Sequence, residues 1–195
     1  MFYLIKVISI SDWLRIVLVY SHVVICAFAI TAVLKTDLKI VLGNTTREEI
    51  KAATAQISGL LLALWVTGLS IIYLDTGFSP EILITKGKLL LKLACVVTLT
   101  VNGAVLHYLS FPILMRSRSD LACRESALLV VTGALSTSHW MLAAFVGMSA
   151  PLGRLPFSLL FSGYRIFVLS VVAVSLFFIP VISRVSLAHL PRHSS

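Results

Sequence analysis

Five long apolar runs recur along this chain, separated by short charged or turn-forming segments. At about 20 apolar residues per bilayer crossing, each run has the length of a membrane-spanning helix. The charge supply supports the same reading. Of the 195 residues, 58% are hydrophobic and only 12% are charged, against about 25% charged in a soluble domain. A water-soluble globule with a charged surface is excluded. So is a disordered chain, which needs low hydrophobicity. The fold expected is all-α: a polytopic transmembrane helix bundle forming one integral membrane domain over residues 1–195.

The spans are read as residues 13–34, 57–74, 89–109, 126–148 and 164–182. Residues 1–12 form either a short interfacial helix or a frayed start. Ala27-Phe28-Ala29 has the small-residue form of a signal cleavage site, but the run holding it is long enough to span, so it reads as a retained first helix. Residues 35–56 are the most polar stretch. There Thr45 with Glu48 and Thr46 with Glu49 form two overlapping capping boxes. A helix should start at that point outside the membrane, as a cytoplasmic extension of the second span. Asp75-Thr76-Gly77-Phe78-Ser79-Pro80 is a turn cluster, and Pro112 either ends or kinks the third span. The run from Phe157 is longer than one crossing and contains Arg165. Either the fifth span starts near Tyr164 with residues 157–163 at the interface, or Arg165 is buried or snorkels; the first is the preferred reading.

The 16 Lys and Arg against 8 Asp and Glu give a net charge of +8. Because the basic residues lie mostly between apolar runs, they point to orientation and to anionic lipid, and not to nucleic acid. Seven basic residues fall on the side of the N-terminus and nine on the other. That bias favours a cytoplasmic C-terminus. Cys26, Cys95 and Cys123 form no CxxC pair; Cys26 and Cys95, inside apolar runs, read as small buried hydrophobes. His189 and His193 have the spacing of a metal pair, but Pro191 between them spoils the helix that spacing needs.

Polar and ionisable residues inside a span mark functional candidates. Here they are His22, Asn102, His107, His139, Lys92 and Arg165. His22 and His139 lie nine residues in from the same face on antiparallel spans, which places them at one depth. Two such histidines can ligate a b-type haem from both sides. The plainer and commoner role is a hydrogen bond from each to a hydroxyl or carbonyl across a helix interface. His107 lies about 15 Å deeper at 1.5 Å per residue and reads as an interfacial histidine. Asn102 near mid-span reads as a helix cross-link. Lys88 and Lys92 are one turn apart, with Asp75 and Glu81 on the same side to pair with them; the sharper alternative is a positive mouth for an anion or a quinone-like head group. No Walker loop, GxGxxG, HExxH or GxSxG occurs, so a soluble catalytic site is unsupported and enzymatic activity is not the leading expectation.

Several stretches resemble a known group together: Thr36-Asp37-Leu38-Lys39 after a His-bearing first span, Leu64-Trp65-Val66-Thr67-Gly68-Leu69, Asp75-Thr76-Gly77, Lys88, Leu99 to His107, and Phe111-Pro112. They are similar to uncharacterised bacterial inner-membrane proteins over roughly residues 20–115. More distantly, the His-bearing first span and Trp65-x-x-Gly68-Leu69 resemble copper-resistance D and cytochrome-b-type bundles. The nearer resemblance implies a multi-pass bundle in a bacterial inner membrane and brings no activity or site residues with it. Three functional expectations follow. The first is an electron-transferring b-haem protein with His22 and His139 as axial ligands. The second is a non-enzymatic accessory or scaffold subunit that binds other membrane proteins or itself. The third is a small ion or solute pathway through Asn102, His107 and Lys92; five helices without a repeat suit a transporter poorly.

Overall fold

The structure, a computed structural model, describes residues 9–42, 45–114 and 123–188. In chain order these form α1 (Ile10–Val41), α2 (Arg47–Thr76), α3 (Pro80–Thr85) and α4 (Gly87–Val105). A π-helical turn (Leu106–Ser110) and α5 (Phe111–Leu114) follow, then α6 (Cys123–Met148), a 3-10 turn (Ala150–Arg154) and α7 (Phe157–Ala188). No strand occurs among the described residues. Five stretches are long and apolar enough to cross a membrane: Ile10–Val41, Arg47–Thr76, Gly87–Ile113, Arg124–Met148 and Phe157–Phe178. The protein is an all-helical, multi-pass membrane bundle.

Capping chemistry places the helix starts. Ser9 caps α1, its hydroxyl accepting from the Asp12 N–H at 3.2 Å while the Asp12 carboxylate accepts from the Ser9 N–H at 3.1 Å. The first helix therefore begins before residue 13, and it runs on past residue 34 because residues 35–41 contain no breaker. Its 32 residues are about 48 Å long at 1.5 Å per residue, well beyond the ~30 Å hydrocarbon core. Of the two overlapping capping boxes, Thr46 with Glu49 is the one formed, so α2 starts at Arg47. Gly77, at φ +57°, ends α2 in the left-handed conformation that glycine adopts without steric cost.

Pro112 and Arg165 both lie inside continuous helical stretches. Pro112 does not end the third span. Its ring crowds the Tyr108 carbonyl and it has no N–H to offer, and the strain is taken up one turn earlier. There the helix widens into the π turn Leu106–Ser110 and then continues through Pro112. Residues 157–163, preferred as an interfacial segment, belong to the same helix as the span that follows. After Pro156 the chain is one helix from Phe157 onward, and nothing in residues 157–163 breaks it. Arg165 lies within that helix. Its side chain is exposed and turns back toward the preceding turn, with the guanidinium 5.7 Å from the Phe161 ring centroid and 3.5 Å from the Ser162 hydroxyl. This backward reach is the geometry by which a long basic side chain snorkels.

The helices pack as a hairpin beside a three-helix group. Three cross-links hold α1 antiparallel to α2: Arg15 to Asp75 at 2.7 Å, His22 to Thr67 at 2.8 Å and Lys39 to Glu49 at 2.6 Å. In the second group α6 packs on both α4 and α7. One apolar cluster (Ala29, Val33, Leu64, Leu99, Trp140) joins the hairpin to α4 and α6; another (Leu91, Cys95, Val146, Leu160) joins α4, α6 and α7. Lipid tails are as apolar as these side chains, so the gain here is close packing and hydrogen bonding, and not removal of oil from water.

Candidate functional site

The polar side chains expected inside the spans fall into three separate groups. The first lies between α6, α7 and α4. His139 is fully buried. Its Nδ1 faces the Leu135 carbonyl at 2.8 Å, and a carbonyl only accepts, so this nitrogen carries the hydrogen. Nε2 is then a bare lone pair and accepts from the Tyr164 hydroxyl at 3.1 Å. The Tyr164 oxygen in turn accepts from the Thr98 hydroxyl at 2.7 Å. The chain of donors runs Thr98, Tyr164, His139, Leu135 and stops at a main-chain carbonyl. It ties three helices together.

The second group lies between α4 and α6. The Asn102 amide donates to the Thr132 carbonyl at 2.9 Å. The Thr132 hydroxyl gives its hydrogen to the Leu128 carbonyl at 2.7 Å and so accepts from the Ser110 hydroxyl at 3.0 Å. The π turn ends at Ser110, which is fully buried.

The third group lies where α1, α2 and α4 meet. The Thr67 hydroxyl donates to the Ala63 carbonyl at 2.8 Å, so it accepts from His22 Nδ1–H. His22 Nε2 is left as an acceptor with no hydrogen-bond partner among the described residues. Lys92, half-buried on α4, lies within electrostatic reach of His22 and Cys26. It makes no hydrogen bond or ion pair with any described residue.

The remaining candidates stand apart. His107 is exposed in the π turn, edge-on to Tyr108 at 4.9 Å, and Arg165 is exposed on α7. The expected pairing of Asp75 and Glu81 with Lys88 and Lys92 does not form. Asp75 is taken by Arg15. Lys88 instead donates to the Gly147 and Ser149 carbonyls at 3.3 and 2.8 Å, where the end of α6 leaves acceptors unpaired. Glu81 is exposed on α3. His189 and His193 lie outside the described residues.

As placed, these residues do not fit a haem held between His22 and His139. The two imidazoles belong to different interfaces, one closing on α2 and the other on α7. The His139 nitrogen that would face an iron is occupied by Tyr164. The ring is flanked edge-on by Tyr164 and Phe167, with centroids at 5.7 and 5.9 Å. A porphyrin there would have to displace Tyr164 and with it the Thr98 link. No group of three or more His, Cys, Asp or Glu gathers to hold a metal ion among the described residues.

Two contributors were hidden in the sequence. Tyr164 sits at the centre of the first group. Asp37, read as part of a polar loop, lies on α1 and accepts a hydrogen bond from the Thr137 hydroxyl on α6. The one available signal for Asp37 was that residues 35–41 continue α1 without a breaker. Compared with known proteins, the chain matches no family model, no curated protein and no solved structure at a significant level.

Proposed function

We propose that this protein is a non-enzymatic subunit that works by lateral association in the membrane, with itself or with another helical membrane protein. The observation carrying this reading is that His22, Asn102 and His139 each close on a group of a neighbouring helix, as His139 does on Tyr164. They act as cross-links between helices and do not converge on a common substrate. Small polar links of this kind specify helix packing in lipid. The reading places the protein in a bacterial inner membrane, on the resemblance of residues 20–115, with a cytoplasmic C-terminus, on the distribution of basic residues.

The test uses the full chain with a photo-crosslinking residue at Tyr20, which is exposed on α1. Irradiation in native membranes should give a discrete product above the monomer mass, and gentle extraction should give a particle larger than a monomer. A monomer with no crosslinks would sink the proposal. An absorption spectrum of the same protein, oxidised and dithionite-reduced, should be featureless in the visible. A Soret band lost in both His22→Ala and His139→Ala would restore the electron-transfer reading.

A further inference from the structure

A cation inside a span is costly unless something pairs with it, and Lys92 has no such partner among the described residues. The seven carboxylates among the described residues are accounted for. Asp75 is held by Arg15, Glu49 by Lys39 and Glu48 by Lys51. Asp37 is bonded to Thr137 and stands 15 residues beyond His22 on α1, about 22 Å at 1.5 Å per residue. Asp12 and Glu125 have interactions of their own, and Glu81 is exposed on α3. Lys88, one turn away, adds a like charge.

The surroundings of Lys92 are equally specific. Ala29 of α1 and Leu99 of α4 belong to one apolar cluster. The two helices run parallel, and seven residues back on each, two helical turns, come His22 and Lys92. This register brings an ammonium with three hydrogens to give to the level of an imidazole whose Nε2 has a lone pair to share. The His22 ring is fixed by its bond to Thr67, and its Cε1 would lie 3.4 Å from a Cβ at Gly68. A Cβ there would sit in ordinary contact with the ring, so the imidazole packs closely on α2. Donor and acceptor together match an acid group, which offers one acceptor oxygen and one O–H.

We propose that the junction of α1, α2 and α4 binds an acid head group, with Lys92 donating to its oxygen and His22 Nε2 accepting a hydrogen bond from its O–H. A phosphate monoester lipid, a fatty carboxylic acid and a small soluble oxyanion share this chemistry. The site is independent of the association reading and stands or falls apart from it.

The full chain in phosphatidylcholine nanodiscs would be titrated separately with phosphatidic acid, oleic acid and inorganic phosphate, with bound probe counted by native mass spectrometry. The wild type should hold one molecule of at least one probe, and which probe binds identifies the source. Lys92→Gln should weaken binding at least about tenfold, the loss usual when one partner of a buried charge contact is removed. Lys92→Arg should keep most of it. His22→Gln, whose amide can still donate to Thr67, should weaken it to a lesser degree. Lys86→Gln, at an exposed lysine outside the junction, should change nothing. Failure of all three probes to bind the wild type, or unchanged binding in Lys92→Gln, overturns the site. If Lys92→Gln does not yield monodisperse protein, His22→Gln decides, and unchanged binding there overturns it equally.

Discussion

At the scale of single residues, the Thr98–Tyr164–His139 chain is where a small change should be felt most. Tyr164→Phe removes one oxygen and leaves His139 Nε2 and the Thr98 hydroxyl without their partner. In lipid, interhelical hydrogen bonds are worth about 0.6 to 2 kcal/mol, so a loss of about 1 kcal/mol is expected by reversible unfolding in mixed micelles. Thr98→Val should cost less, because the Tyr164–His139 bond survives it. The double variant should cost less than the two losses added, since both act on one chain. Additive losses would mean that the three side chains do not act as a unit. That His22, His139 and Asn102 would be polar points inside spans was legible from their positions in apolar runs. Which neighbour each would face was not, because depth along a helix follows from counting residues while rotation about its axis follows from packing. Tyr164 shows the difference: a tyrosine beside an arginine near the start of a long apolar run carries no mark of its role until α6 lies against α7.

At the scale of helices, local chemistry decided the ends and tertiary context decided the rest. Two capping boxes competed at the start of α2, and the structure uses Thr46 with Glu49, both reciprocal bonds being present at 3.2 and 3.0 Å. Thr45 stands just outside, its hydroxyl buried without a partner. The two threonines should therefore respond differently. Thr46→Ala should cost about 1 kcal/mol, the usual loss of an N-cap. Thr45→Ala should be neutral or slightly stabilising, because it removes an unsatisfied polar atom. Thermal melts of the two variants in one detergent check this, and equal losses would show that both boxes contribute. The spans themselves could be read in the sequence because apolar length is a local quantity. The run of α1 to Val41 could not, since charged residues at 35, 37 and 39 look like loop until Thr137 and Glu49 supply partners for Asp37 and Lys39. The π turn was likewise hidden. Pro112 announces a disturbance, but not whether the helix will break there or widen one turn earlier.

For the whole molecule, the odd number of crossings sets a constraint that no single helix carries. If all five candidate spans among the described residues cross, the first and the last of them leave the chain on opposite faces of the membrane. In α7 a charge, Arg165, interrupts the apolar surface. The geometry there reduces the penalty. Arg165 reaches back over Phe161 and Ser162, toward the nearer end of the helix, which is how a long basic side chain reaches the polar interface. Reporters that are active only on one side, green fluorescent protein for the cytoplasm and alkaline phosphatase for the outside, can be fused to each end of the full chain. Opposite responses from the two ends are expected, with the C-terminal fusion fluorescent. Arg165→Leu should leave both responses as they are, since the helix already crosses with the arginine in place. If both ends report the same face in the wild type and Arg165→Leu restores the opposition, then α7 lies along the membrane surface until that charge is removed, and the three-helix group of α4, α6 and α7 does not form as described.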